Sequence, residues 1–441
     1  QGKVTGANVS VKIHDDFMQA VIDEKPYVQQ YPIDSAEPTY TKEINANDLW
    51  KKIVHNAWKS AEPGVLFWDT ITRESLPDCY ADLGYRTVST NPCGEIPLCP
   101  YDSCRLLAIN LYSYVENPFT KEATFNFELF KEHVHKAMHL MDDIIDLELE
   151  KVDLILNKIQ SDPEDMDVRT VEINLWKKIK DMALKGRRTG LGITAEGDML
   201  AALGLRYGSE KALKFTVEVH KTLAVEAYRA SVMMARDRGA FQVFDAEKEK
   251  NNPMINRLRE ADKSLYEDML KYGRRNIAML TIAPTGTTSL MSQTTSGIEP
   301  VFRPVYKRRR KINPSDHNVV ATFVDEQGNA FEEYNVYHHK FVDWLRINGY
   351  DISRLNTMCD EEWGKWVAAS PYHKATANDI DWVAKVKMQG AIQKWVDHSI
   401  SVTVNLPNNI SEEIVADVYR TAWESGCKGI TVYRDGCRAG V

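Results

Sequence analysis

Apolar and polar positions along this chain keep two rhythms, one of period two and one of period 3.6, and they take turns from end to end. Residues 7–13 alternate as a half-buried strand does, and Asp15-Asp16 then opens a short helix through Val21. Residues 47–60 place Leu49, Ile53 and Ala57 at helical core spacing, and Gly64 to Trp68 is a short strand. Residues 69–88 carry neither rhythm and are predicted to be a loop, followed at 106–111 by another strand. Phe127, Phe130, Val134, Met138, Met141 and Ile145 mark a long helix, and residues 165–185 form the next.

Ser209 is placed to cap a helix that runs to Arg238, with Gly239 to end it. Residues 277–283 are a nearly continuous apolar run closed by Pro284, the pattern of a parallel strand buried on both faces. Residues 400–405 are a strand and 411–425 a helix with Glu412 and Glu413 in its first turn; Gly426 stops the helix, and residues 430–433 form a last buried strand. Strands alternating with helices in this way predict a parallel α/β fold. Between the apolar run ending at Pro284 and the strand at 400–405, residues 312–390 scatter Tyr, Trp and His through charged helices and are expected to decorate the outside.

Composition narrows the class. The 441 residues are 43% hydrophobic and 27% charged, as in ordinary globular proteins, and the net charge of −8 argues against binding nucleic acid polymers. The basic run Lys307 to Lys311 is read as a solvated loop. Seven cysteines in so long a chain do not make a disulfide scaffold; the odd number fits a reducing cytoplasm with working thiols. No apolar run nears the roughly 18 residues of a membrane helix. The start, Gln1-Gly2-Lys3-Val4, reads as a chain entered part-way.

One loop concentrates chemistry. Ser89-Thr90-Asn91-Pro92-Cys93-Gly94-Glu95 offers an amide, a thiol and a carboxylate at alternate positions, with Pro92 and Gly94 forbidding a helix. An extended path would point Asn91, Cys93 and Glu95 the same way. A thiol can act as a nucleophile or as a hydrogen-atom carrier, and a carboxylate can take a proton from a hydroxyl, worth about 10²–10⁴-fold. Spacing alone equally describes a tight turn with an inert Cys and a solvated Glu. Pro284-Thr285-Gly286-Thr287-Thr288-Ser289 follows the buried strand with hydroxyls and an incipient helix start, which suits a phosphate. Gly186 to Gly192 is a glycine-rich turn without a dinucleotide fingerprint, so close backbone packing is expected there. His135 and His139, with Asp142 and Asp143 one turn on, have metal-ligand spacing but read as a solvated polar face, and no metal site is assigned.

These motifs together resemble the catalytic subunit of ribonucleotide reductases. The likeness runs through Thr90 to Glu95, Pro97-Leu98, Ser103 to Leu106, Ala108 to Leu111, Ala283 to Ser289, Ser296 to Pro300, Asp397 to Asn405 and Gly429 to Gly436, in the family's order. It implies the larger part of a ten-stranded α/β barrel: a central finger loop at about 89–105, a phosphate loop at 284–289, a peripheral helical region at about 305–390 and the last barrel strands at 391–441. It also implies roles. Cys93 would be the thiyl radical taking the 3′ hydrogen of a ribonucleotide, Glu95 the base at the 3′ hydroxyl, and Asn91 the holder of the ribose hydroxyls. Cys104, or in its place Cys99, would be one of two redox cysteines that reduce the 2′ carbon, with the phosphates against Pro284 to Ser289.

Where relatives that relay a radical from a metal-containing small subunit carry two adjacent tyrosines, this chain has Thr431-Val432. The resemblance therefore implies the adenosylcobalamin-dependent class acting on diphosphates, with Tyr433 keeping the relay class open. A thioredoxin-type dithiol, the missing amino-terminal part of the barrel and a homodimer are the implied partners. With a first redox cysteine and a cysteine tail both outside it, the chain alone is expected to be inactive. The alternative from another class is a non-catalytic nucleotide-binding or assembly module.

Overall fold

A computed structural model describes residues 8–103, 105–313, 319–326 and 328–437. At its centre seven extended segments pair side by side. Ser10–Ile13 lies parallel to Gly64–Phe67, with Ser10 opposite Gly64. Gly429–Arg434 runs antiparallel to Gly64–Phe67, and Thr403–Leu406 runs parallel to Gly429–Arg434. The chain just before Thr403 pairs in parallel at Ile400 with Ile282, Leu280 pairs in parallel with Leu191, and Leu191–Thr194 lies parallel to Leu107–Asn110. Two parallel segments thus face five parallel ones across a single antiparallel seam.

The array curves, and the loop at 89–98 shows why. Asn8 Nδ2 donates to the Pro92 carbonyl at 3.1 Å, while Thr281 Oγ1 donates to the Glu95 carbonyl at 2.8 Å. Asn8 precedes the first segment and Thr281 lies on the fifth, about 19 Å away in a flat sheet. Residues 92 and 95 can be no more than about 10 Å apart. So short a loop meets both ends of that span at once, as it does when the segments wrap around it.

Helices cover the outside. Ala46–Ser60, capped by Asn45 accepting from Asp48 N, buries Trp50, Ile53, Val54 and Ala57. It packs on Glu412–Glu424, where Trp50 meets Tyr419 edge to face at 6.0 Å. Ser209 caps Glu210–Arg238 through Ala212 N, and Gly239 ends it at φ 89°. Phe127–Gln160 runs a full 34 residues, because after Ile145 the apolar rhythm resumes at Val152 and Ile159.

Several expectations are corrected. Residues 69–88 are not a loop: Trp68–Glu74 is a helix and Pro77–Leu83 a 3₁₀ helix, whose buried Trp68, Ile71 and Tyr80 are too few to show a rhythm. The run 277–283 sits where a buried strand was expected but keeps only isolated bridges, because the Asp397 carboxylate accepts from Met279 N and Leu280 N at 2.8 and 2.7 Å. The glycine-rich turn continues into the Leu191–Thr194 strand, and its packing is as close as expected: a Cβ on Gly190 would lie 2.2 Å from the Arg105 carbonyl oxygen.

The basic run is a strand, Val305–Lys311, antiparallel to Ala330–Tyr337, in which Arg309 and Arg310 pair with Glu333 and Glu332. Cross-strand charge pairing is the cause. Nor does all of 305–390 lie outside. Phe341, Leu345 and Tyr372 enter the main core, and Gln389 reaches the barrel, donating to the Gly429 carbonyl at 2.8 Å.

Candidate functional site

Ser89–Thr90 and Pro97–Leu98 pair antiparallel, so the chemistry-bearing loop is a short hairpin. Its tip is a turn rather than an extended run. Gly94, at φ 78°, donates its N–H to the Asn91 carbonyl at 3.0 Å, and Asn91 Oδ1 accepts from Ile96 N at 3.0 Å. The expected alternation therefore fails: Asn91 spends its carbonyl group bracing the turn, and Cys93 and Glu95 part in burial. Cys93 is exposed, whereas Glu95 is 2% exposed and its Oε2 has no partner among the described residues. The two remain close enough to interact. Burial first, and the Glu95 carboxylate second, hold the Cys93 thiol above its ordinary pKa.

The hairpin is gripped from several elements. Besides Asn8 and Thr281, Ser399 N donates to the Glu95 carbonyl at 2.9 Å, and Lys12 Nζ reaches the Val88 carbonyl while lying 3.8 Å from the Trp68 ring centre. At its base Arg188, 2% exposed, donates to Asp102 Oδ2 at 2.7 Å and to the Pro97 carbonyl at 3.1 Å. Sequence reasoning missed Asn8, Lys12, Arg188 and Thr281. Each acts on a backbone carbonyl, which no side-chain pattern announces.

Cys93 opens onto a cavity of about 270 Å³ that spans the seam between the two groups of segments, with Asn8, Ser10, Gly64, Thr431 and Tyr433 on its walls. Strand alternation puts Thr431 and Tyr433 on this face and Val432, fully buried, on the other. Tyr433 therefore shares a cavity with the thiol, and Val432 does not.

Cys99, the alternative redox thiol, is 3% exposed; burial and the Asp102 carboxylate, 3.4 Å away, push it up to about 12, so it holds no thiolate near neutrality. Cys104 lies outside the described residues. Its neighbour Arg105 is buried, donates to the Arg188 carbonyl at 2.8 Å and pairs with Glu148.

The segment Pro284 to Ser289 follows Thr281 by three residues, at most about 10 Å of chain. Thr285, at φ 51°, accepts from Gly297 N at 2.8 Å and bonds the Thr194 hydroxyl at 3.0 Å, which fixes the entry to the helix Gly286–Ser292. Thr288 Oγ1 and Ser289 Oγ turn back onto the carbonyls of Thr285 and Gly286, leaving an exposed first turn at Gly286, Thr287 and Thr288. Gly286 borders open space. Glu299 steadies this region, accepting from Lys385 Nζ at 2.5 Å and Thr403 N at 2.8 Å.

The helical His pair is not brought to this site. His135 bonds Glu226 at 2.7 Å; Asp142, expected on a solvated face, is fully buried among Arg187, Arg275 and Arg238. Beside the hairpin, His398 is buried, its Nδ1 donating to the Leu280 carbonyl at 2.8 Å, and burial lowers its pKa to about 4.

A curved α/β array wraps around a hairpin that carries an exposed thiol beside a buried carboxylate. The model of the ribonucleotide reductase barrel domain matches residues 1–433, and the chain belongs to that family. It is 31% identical over 429 residues to a vitamin B12-dependent ribonucleoside-diphosphate reductase of Thermoplasma acidophilum, a match covering 97% of this chain and 47% of that protein. A Mycobacterium tuberculosis protein of the same description is 28% identical over 442 residues, covering 98% of this chain and 53% of that one. The chain thus spans about half the length of these relatives. Among solved structures, the alpha subunit of the class Id ribonucleotide reductase of Actinobacillus ureae superposes with a TM-score of 0.63 at 17% identity, covering 97% of this chain and 65% of that one, which shows the shared fold.

Proposed function

We propose that this chain carries the catalytic centre of an enzyme that reduces ribonucleotides, as diphosphates, to 2′-deoxyribonucleotides. The observation that carries the reading is the tip of the hairpin: Cys93 exposed to a cavity inside the barrel, next to a buried Glu95 with an unpartnered carboxylate oxygen. A buried, unpaired carboxylate is costly unless a ligand completes it, and a ribose hydroxyl is the matching donor.

In this reading the nucleotide lies between the hairpin and the loop Pro284 to Ser289, whose exposed first-turn N–H groups take the phosphates. Cys93, as a thiyl radical, removes the hydrogen atom from the 3′ carbon. Glu95 accepts the proton of the 3′ hydroxyl, and the Asn91 amide N–H₂ donates to a ribose hydroxyl. The 2′ hydroxyl takes a proton from one of two redox cysteine thiols and leaves as water. These two cysteines, Cys104 and one from the amino-terminal part of the barrel, supply two electrons and become a disulfide, which a thioredoxin-type dithiol reduces. Cys93 then returns its hydrogen atom to the 3′ carbon.

The cavity beside Cys93, at about 270 Å³, is smaller than adenosylcobalamin, so only the part of that cofactor that meets the thiol would enter it. Its walls include Gly64 and Gly429, where a Cβ would crowd Ser10 Oγ at 3.1 Å and Leu66 Cδ2 at 3.1 Å. Asn8, Thr431 and Tyr433, on its walls, would touch that part. When bound, that cofactor supplies the one-electron oxidation of the Cys93 thiol. The placement of Tyr433 on the same cavity favours a second reading, in which the radical arrives through Tyr433 from a metal-containing partner subunit. A complete protein would work as a homodimer in the cytoplasm.

The test is reduction of a ribonucleoside diphosphate by the full-length protein with a dithiol, with and without adenosylcobalamin and with no second subunit. Cobalamin-dependent turnover that Cys93→Ala abolishes is the expected result. Turnover restored only by a metal-containing subunit would select the second reading; no turnover under either condition would overturn both.

A further inference from the structure

The unpartnered Glu95 carboxylate oxygen leaves a question of what aims it. Nothing described bonds Oε2, so its direction comes from the backbone of the hairpin. The Glu95 carbonyl is held by two donors from adjoining segments, Thr281 Oγ1 at 2.8 Å and Ser399 N at 2.9 Å. Thr281 is 1% exposed, and its own N–H donates to the Leu191 carbonyl at 3.0 Å, so the hydroxyl is carried on a fixed main chain. The same hydroxyl lies 3.3 Å from the Ser399 carbonyl. Three residues further on, this segment becomes Pro284 and the loop to Ser289.

We propose that Thr281 is a positioning residue: its hydroxyl sets the Glu95 carboxylate against Cys93 and ties it to the segment that carries the loop Pro284 to Ser289. The inference rests on the reading of Glu95 as the base, but its geometry stands without turnover. A base displaced by a fraction of an ångström loses rate far more than binding, because only the transition state feels the misalignment.

Thr281→Val removes the hydroxyl with little change in shape, and Thr281→Ser keeps it. Two measurements on the full-length protein decide the matter. In turnover, Thr281→Val lowers kcat by about 10- to 100-fold while the nucleotide KM stays within about threefold, and Thr281→Ser recovers most of the rate. Independently of turnover, the rate of Cys93 alkylation is followed against pH by mass spectrometry of its peptide. Glu95→Gln shifts the midpoint downward by removing the neighbouring charge; Thr281→Val moves it towards the Glu95→Gln profile, and Thr281→Ser leaves it at wild type.

A Thr281→Val alkylation profile that superimposes on wild type overturns the inference, whether or not nucleotides are reduced. Equal shifts in the Val and Ser variants also overturn it, since packing rather than the hydroxyl would then be responsible. A shift specific to Val in a protein that reduces no nucleotide would leave the positioning of Glu95 standing and remove the functional reading. Should Thr281→Val fail to fold, Thr281→Cys, similar in size with a far weaker donor, makes the same comparison.

Discussion

At the scale of single residues, the neighbourhood of the hairpin is built from polar groups whose charge state is set by burial. His398 is the clearest. Its Nδ1 is committed to the Leu280 carbonyl and its Nε2 has no partner among the described residues, so a second proton would create an unsolvated cation. Its pKa falls from 6.5 to about 4. The unfolded chain therefore binds a proton in that interval that the folded chain refuses, and the contribution to stability, whole above pH 6.5, is lost as pH falls towards 4. The loss is at most about 3 kcal/mol for this residue. In urea titrations at a series of pH values, His398→Gln should show a shallower decline of unfolding free energy across that window than the wild type. Coincident declines would mean that His398 is not held neutral. None of this was visible in the sequence, where Asp397-His398-Ser399 matched a family motif without a role.

At the scale of elements, rhythm revealed the regular pieces and missed those defined by contact with other chain segments. The helices at 46–60, 210–238 and 412–424 stood out because each buries one face and has a recognisable cap or stop. The helices at 68–83 hid because they are short, and the Leu191–Thr194 strand hid inside what looked like a glycine-rich turn. The glycines there are what let three segments pack. A Cβ at Gly190 would stand 2.2 Å from the Arg105 carbonyl oxygen, and one at Gly192 would stand 2.1 Å from that of Thr281. Both obstacles are backbone, which cannot swing aside as a side chain does. Gly190→Ala and Gly192→Ala are each expected to cost upwards of about 2 kcal/mol, read as a lowered urea midpoint. Gly364→Ala, with nothing near its Cβ site, should stay within about 0.5 kcal/mol of wild type. Gly192→Ala should also slow catalysis in the full-length protein, since it pushes on the segment that bears Thr281, and wild-type kcat in that variant would count against so rigid a linkage.

At the scale of the whole molecule, the sequence was readable where motifs lie in a fixed order: the hairpin, the loop at 284–289 and the last strands all fall on one barrel. What it hid is how the barrel is held. The two parallel groups meet at one antiparallel seam, registered at Gly429 with Leu66 and Ile430 with Val65, and the hairpin bridges them through Asn8 on one side and Thr281 on the other. The cavity beside Cys93 straddles that seam. A ligand seated there touches both groups, so it must stabilise their association as well as deliver chemistry. By linkage, adenosylcobalamin at 100 times its dissociation constant should add about 2.7 kcal/mol to the unfolding free energy of the full-length protein. Cys93→Ala should keep most of that gain, because it removes one sulfur atom from the lining and leaves the walls at Gly64, Gly429 and Thr431 in place. Gly64→Val should abolish it, because its side chain would enter the wall shared by Ser10 Oγ and Thr431 Oγ1, 3.1 and 3.4 Å from the Cβ position. Thermal unfolding with and without the cofactor reads all three proteins. A wild-type midpoint that does not move with cofactor would remove adenosylcobalamin from this cavity and favour the reading in which the radical arrives through Tyr433.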